Sequence, residues 1–297
     1  MIPEKKIYNL KDNDFLRITG EDKFDFLQGL ISNDINKLKN NQSIYSSILS
    51  AQGKLIYDFF LSLINNEIIL ETKKKNIADL KSKLLKYKLR SDIDIIESFN
   101  KKSYLVNPSY FDEILKLNII SNHSIFFDPR FDDYILKFYC DDEELKKISD
   151  FLKLLFIDNN EYFNLRTKNC IPDFEFDADL NKSILLELRF DDLNGIDWDK
   201  GCYLGQEVTA RTKYRGKIKK KLYGFYSERP LIVTNNDRTI LYYENVIGEV
   251  KSFNDKYGLA ILKVDVAQDC IENNNSMFFN KIKIHPYEPK WSIKNSH

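Results

Sequence analysis

The first hydrophobic pattern in the chain, FLRITGEDKFDFLQGLISNDI at residues 15–35, reads as strand, turn and short helix. Gly20-Glu21-Asp22 makes the turn, with Asp22 as helix cap, and Phe26, Leu27 and Leu30 share one helical face. YSSILSAQGKLIYDFFLSLI, residues 45–64, predicts a hairpin around Gln52-Gly53. A strand–turn–helix pattern then occurs twice. In residues 67–96, Ile77, Leu80, Leu84 and Tyr87 keep helical spacing. In residues 133–157 the stripe is Leu145, Ile148, Leu152, Leu155 and Phe156, with Asp141 or Asp142 as cap. Two such units suggest a pair of related α+β halves.

Beyond Lys217 the helical period disappears. KIKKKLYGFYS, TILYYENVIGEVKSF and KYGLAILKV are short strand-like runs separated by turn residues, which predicts a small all-β domain closed as a barrel. The expected fold class is α+β. The expected domains are residues 1–100, residues 101–215 and a C-terminal β-barrel at residues 216–297.

Composition narrows the function little. The 297 residues carry 45 basic and 45 acidic side chains, so global charge points to neither a nucleic-acid binder nor an acidic-substrate enzyme. The four Cys are isolated, none forms a CxxC pair, and there are three His. A metal site from local spacing is therefore not expected, and isolated thiols fit a reducing compartment. No apolar run reaches the roughly 18 residues of a membrane span, and the first residues lack a signal-peptide pattern. A cytoplasmic protein is the expectation.

KGCYLGQE, residues 200–207, concentrates polar and special residues. Gly201 and Gly205 permit tight turns and close approach to a ligand. Lys200 stands two positions before Cys202, where an ammonium would favour the thiolate. Tyr203 offers a stacking face, and Gln206 and Glu207 an amide and a carboxylate, which suit a flat heterocycle such as a pterin or purine. The alternative is a small buried Cys in a glycine-flanked turn. Arg211, Lys213, Arg215, Lys217 and Lys219 to Lys221 follow with no acid between Glu207 and Glu228. This local positive segment suits a phosphate chain, a nucleic acid or a multi-carboxylate tail, while Lys219 to Lys221 read as a solvated strand face. A helix starting at Gln206 would set Glu207 and Arg211 four residues apart, able to pair.

KGCYLGQEVTARTKYRGKIKKKL resembles the signature of the YgfZ family, which includes mitochondrial relatives that support iron–sulfur maturation. ITGEDKFDFLQGLISNDI, AQGKLIYDFFL, LLKYKLRSDI, DPRF and NLRTKNCIPDF extend the resemblance over most of the chain. It implies a tetrahydrofolate-binding fold shared with the glycine-cleavage aminomethyltransferase. It further implies a role in assembling or repairing [4Fe-4S] proteins, with iron–sulfur client or assembly proteins as partners. Aminomethyltransferase-like one-carbon transfer is the alternative, and an RNA-binding adaptor is disfavoured by the neutral charge. The expected catalytic residues are Cys202, Lys200 and Asp58. The expected folate-binding residues are Glu187, Gly201, Tyr203, Gly205, Gln206, Glu207, Arg211 and Arg215, with no metal ligands. Cys202 could serve as nucleophile, transient ligand or redox thiol. Two departures stand out. Tyr57-Asp58 leaves one carboxylate where the aminomethyltransferases carry an acidic pair, so Asp58 is expected to orient folate. Cys170-Ile171-Pro172 replaces a Gly-Ile-Pro, which predicts an altered backbone there.

Overall fold

The computed structural model describes residues 2–39, 43–131, 134–232 and 236–292. The chain packs into two compact units, residues 1–158 with 193–206, and residues 159–192 with 207–297.

The first unit contains two five-stranded sheets. Its elements are β1 (Lys6–Asn9), β2 (Asn13–Thr19), α1 (Lys23–Gln28), β3 (Ser43–Leu49), β4 (Leu55–Ile64), β5 (Glu67–Lys73), α2 (Ile77–Lys88) and β6 (Asp94–Ile96). There follow β7 (Lys102–Val106), α3 (Phe111–Leu117), β8 (Ile125–Phe127), β9 (Leu136–Cys140), α4 (Asp142–Leu152) and β10 (Leu155–Phe156). The sheet orders are β3-β4-β5-β2-β6 and β10-β1-β7-β9-β8.

The orders reveal a repeat. In each half a strand and helix precede a hairpin, whose second strand returns beside the first strand, and a second helix leads to the last strand. The first half reads β4-β5-β2-β6, and the second reads β8-β9-β7-β10 with β1 inserted before β10. β6 lies antiparallel to β2 directly, whereas β1 lies antiparallel to β7 and parallel to β10. The N-terminal strand thus belongs to the second sheet, so the halves do not divide cleanly at residue 100. Likewise, residues 193–206 pack with the first unit and 159–192 with the second, which differs from a boundary at 215.

Local chemistry explains most elements. The hairpin at Gln52-Gly53 forms as expected, with β3 and β4 antiparallel and Gly53 at φ +69°. Asp141 caps α4 in a full capping box with Glu144, a device worth about 1 kcal/mol. Asp22 does not cap α1; its carboxylate instead accepts from the main-chain N–H of Asp92, tying the turn to the chain before β6. The stripe of α4 ends at Leu152. Leu155 and Phe156 are exposed in edge strand β10, because Lys153 turns left-handed at φ +53° and breaks the helical register.

The second unit contains α5 (Asn159–Lys168), α6 (Phe174–Asp177), α7 (Gln206–Arg215, whose first residue closes the other unit), β11 (Lys220–Tyr226), β12 (Thr239–Tyr242), β13 (Asn245–Asn254), β14 (Tyr257–Lys263), α8 (Val264–Glu272), β15 (Met277–Phe279) and β16 (Ile282–Tyr287). Six strands close into a barrel, β11-β14-β13-β12-β15-β16. The barrel is not all-β as expected: α8 intervenes between β14 and β15, with Ala267 and Cys270 in the barrel core. Beside it, Arg166 is fully buried, bonded to Asp177, to Ser252 and to the Ile171 carbonyl. Cys170 keeps the left-handed conformation that a glycine would adopt, at φ +54°, and its carbonyl accepts from Trp291 Nε1 at 3.2 Å. No helix among the described residues is long and apolar enough to cross a membrane.

Candidate functional site

β3, SIYSSIL, is buried at all seven positions although three are Ser and one is Tyr. Buried hydroxyls need partners, and here the partners build the site. Ser32 Oγ donates to the carbonyl of Gly195 at 2.7 Å and accepts from Ser47 Oγ at 2.9 Å. The N–H of Asn33 donates to Ser46 Oγ, and Asn33 Nδ2 donates to the carbonyls of Tyr45 and Asn194, both at 2.8 Å. Residues 31–34 are thereby clamped between β3 and the segment that leads into KGCYLGQE.

Lys200 completes the clamp. Its Nζ donates to the carbonyls of Gln28 at 2.8 Å, Ile31 at 2.6 Å and Asn33 at 2.9 Å. Burial lowers its pKa to about 8, against the pull of Asp34 and Asp197. Three carbonyls account for the three ammonium protons, so the expected activation of Cys202 by Lys200 gives way to a structural role. Asp197 shapes the approach, accepting from the N–H groups of Asp199 and Lys200 and pairing with Lys37 at 2.7 Å. Burial works to raise its pKa, but the Lys37 bond and the two N–H groups outweigh it and hold the carboxyl below its ordinary range.

The glycines divide. Gly205 has φ +79°, and a Cβ there would lie 2.4 Å from the Ser50 carbonyl and 2.8 Å from Leu49 Cβ. The motif therefore seats its backbone directly on the β3–β4 turn. At Gly201 a Cβ would meet nothing within 4 Å, and φ is not left-handed, so the local fold does not require that glycine. Tyr203 is buried, and Lys200 Nζ stands 4.9 Å from its ring centroid, so its expected stacking face is covered. Gln206 starts α7, and its Oε1 accepts from the N–H of Tyr203.

Cys202 is exposed, whereas Cys140, Cys170 and Cys270 are buried. Burial, the largest cause in each case, pushes those three thiols above their ordinary pKa.

Asp58 lies on the hairpin against which Gly205 packs. It stands opposite Ser47 in register and is half-buried. Tyr57, Phe59 and Leu61 point into the first core, and the Tyr57 hydroxyl donates to Asp79. Asp58 and Phe60 take the opposite face. There the Tyr45 hydroxyl donates to Asp58 Oδ2 at 2.8 Å. Arg130 Cζ lies 5.3 Å from the Tyr45 ring centroid, 5.0 Å from Phe60 and 4.9 Å from Phe131. A two-pronged contact, Nε to Oδ1 at 3.0 Å and NH2 to Oδ2 at 2.8 Å, locks that guanidinium onto buried Asp128. Deeper in, buried Lys137 pairs with Glu71 at 2.6 Å, and Tyr139 and Asn13 also donate to Glu71.

The first unit thus joins Lys200, Gly201, Cys202, Tyr203, Gly205, Gln206 and Asp58. Glu187, Glu207, Arg211 and Arg215 belong to the second unit; Glu187 is half-buried and the other three are exposed. No ion pair joins Glu207 to Arg211 among the described residues. Sequence reasoning missed Ser32, Asn33, Tyr45, Asp128 and Arg130. ISND and DPRF entered only as stretches of likeness; the signal for a role was polar residues inside strand-like or apolar runs. No group of three or more His, Cys, Asp or Glu is arranged to hold a metal ion among the described residues.

No family model matches the chain. Its fold is that of the aminomethyltransferases: the glycine cleavage system aminomethyltransferase T from Bartonella henselae superposes with a TM-score of 0.76 at 12% identity, covering 96% of this chain and 86% of that one. In sequence the likeness to the YgfZ family is upheld. The tRNA-modifying protein YgfZ of Aliivibrio fischeri is 28% identical over 316 residues, covering 96% of this chain and 93% of the relative. The mitochondrial iron–sulfur cluster assembly factor IBA57 homolog of Dictyostelium discoideum is 29% identical over 253 residues, 74% of this chain but 62% of the relative's length. The chain spans less than two thirds of the length of this relative and of the IBA57 homologs of Neurospora crassa and Coccidioides immitis.

Proposed function

We propose that this protein binds a reduced folate through its first unit and supports the assembly or repair of iron–sulfur proteins, with Cys202 as its working thiol. The observation that carries the reading is the contrast among the cysteines: three are buried and one is exposed, on a loop whose next glycine packs against the Asp58 hairpin. The names of the relatives supply the iron–sulfur context.

The residues of the first unit fit a folate. A pterin ring presents several N–H donors, and Asp58 is a half-buried carboxylate in an aromatic setting. Tyr45 fixes one of its oxygens, which orients the carboxylate before any ligand arrives. When bound, folate would supply a one-carbon carrier. Asp58 orients the ring, Gly205 seats the motif against the hairpin, Lys200 ties it to α1 and the segment after it, and the loop presents the thiol to solvent.

The test is restoration of [4Fe-4S] enzyme activity in cells lacking the endogenous factor. Cys202→Ala is expected to fold normally and restore none. Full restoration by a stably expressed Cys202→Ala would refute the thiol's role. Glycine-dependent aminomethyl transfer by the wild type would instead support the one-carbon alternative.

A further inference from the structure

We infer that Arg130 is a positioning residue for the Asp58 carboxylate and acts through the ring of Tyr45. The inference rests on the reading of Asp58 as the ligand-facing carboxylate and adds a residue which that reading does not use.

Three contacts form a chain. Asp128 is buried and grips the guanidinium by two hydrogen bonds, with a third from the Arg130 N–H to Oδ1 at 3.0 Å. The guanidinium cannot swing, because Tyr45, Phe60 and Phe131 surround it at about 5 Å. Tyr45 is buried, and its hydroxyl reaches Asp58 Oδ2 at 2.8 Å. A cation over a phenol ring draws electron density from it and strengthens the O–H as a donor. A stronger donor holds the carboxylate in one rotamer and favours its ionised form.

The electrostatics of Tyr45 agree in direction. Burial raises its pKa most and Asp58 raises it further, whereas Arg130 lowers it. Among the described residues, the charged groups acting on this hydroxyl include Asp58 on β4, and Arg130 and Asp128 on the loop after β8. Around Asp58 itself, Ser47 of β3 stands opposite in register, and Thr72 of β5 donates to its main-chain carbonyl. Lys137 of β9 feels both Asp128 and Arg130 and is held by Glu71.

The relay makes a demand that a mere packing role does not. Arg130→Lys keeps a cation for Asp128 but loses the two-pronged grip that holds the charge over the ring. Tyr45→Phe keeps the ring but removes the donor. The experiment follows the Asp58 carboxyl by carbon NMR through a pH titration of the ligand-free protein, in wild type, each single variant and the double variant. Arg130→Lys should raise the Asp58 midpoint by about half a unit or more in the wild-type background and leave it unmoved in the Tyr45→Phe background. Equal shifts in both backgrounds would mean that Arg130 acts directly, and no shift would mean that it does not act; either overturns the inference. If Arg130→Lys does not fold, Asp128→Asn with Arg130→Gln removes both charges together and is read the same way. No folate enters the measurement, so failure of the folate reading would appear separately, as absent binding by the wild type.

Discussion

Lys200 Nζ and the carbonyl oxygen of Ile31 lie 2.6 Å apart, although 169 residues separate them in the chain. This bond and its two companions fasten the Cys202 loop to the end of α1 and the segment after it. Lys200→Met leaves three buried carbonyls without their donor and should cost roughly 1–3 kcal/mol at pH 7. Urea unfolding with a secondary-structure probe measures the loss.

The same lysine predicts a pH dependence. Its folded pKa, about 8, lies below the ordinary 10.5, so the unfolded chain binds the proton more tightly. Its contribution to stability therefore rises as pH climbs from about 8 to 10.5 and is flat below that window. The gap between wild type and Lys200→Met should widen across it, by up to about 1.4 kcal/mol per pH unit. A constant gap would contradict the assignment.

The two motif glycines should separate cleanly. Gly205→Ala forces a side chain at φ +79° into the Ser50 carbonyl and should destabilise by roughly 1–3 kcal/mol or more. Gly201→Ala meets nothing and should be neutral or slightly stabilising. Paired thermal melts decide the comparison.

The buried ion pair of the first unit predicts non-additivity. Lys137→Met strands Glu71 inside the protein and should cost roughly 3–5 kcal/mol, while adding Glu71→Gln should restore much of it. Additive losses in the double variant would show that the two residues do not depend on each other.

Much of the fold was legible because its signals are local. The β3–β4 hairpin, the α2 stripe as far as Leu84, the α4 stripe as far as Leu152, the Asp141 cap and the barrel strands follow from spacing and turn chemistry, whereas Tyr87 on α2 is exposed. The insertion of β1 beside β7 was not legible, since pairing between distant strands leaves no mark in a short window. α8 was missed because nine residues give only about two and a half turns of helical period. At the site, KGCYLGQE announced itself by composition, but the role of Lys200 did not. A lysine near a cysteine in sequence reads as an activator, and only tertiary contacts reveal that its protons go to carbonyls. Arg130 and Tyr45 stayed hidden because an Arg beside aromatics is ordinary in sequence; their meaning lies in what they touch.

Brief alkylation of the native protein should modify one thiol of four. Cys202 is exposed, while the other three are buried with raised pKa values. Peptide mapping by mass spectrometry checks this, and Cys202→Ser should abolish labelling. Equal labelling of Cys170 or Cys140 would show that the native state opens around them.

In the proposed function the first unit binds a reduced folate at Asp58, with the thiol presented separately. Calorimetric titration of tetrahydrofolate into wild type, Asp58→Asn and Cys202→Ser tests it most directly. The account predicts binding by the wild type, about tenfold or greater weakening in Asp58→Asn from the lost charge-assisted bonds, and near-wild-type affinity in Cys202→Ser. No binding by the folded wild type, or equal affinity in Asp58→Asn, would contradict it.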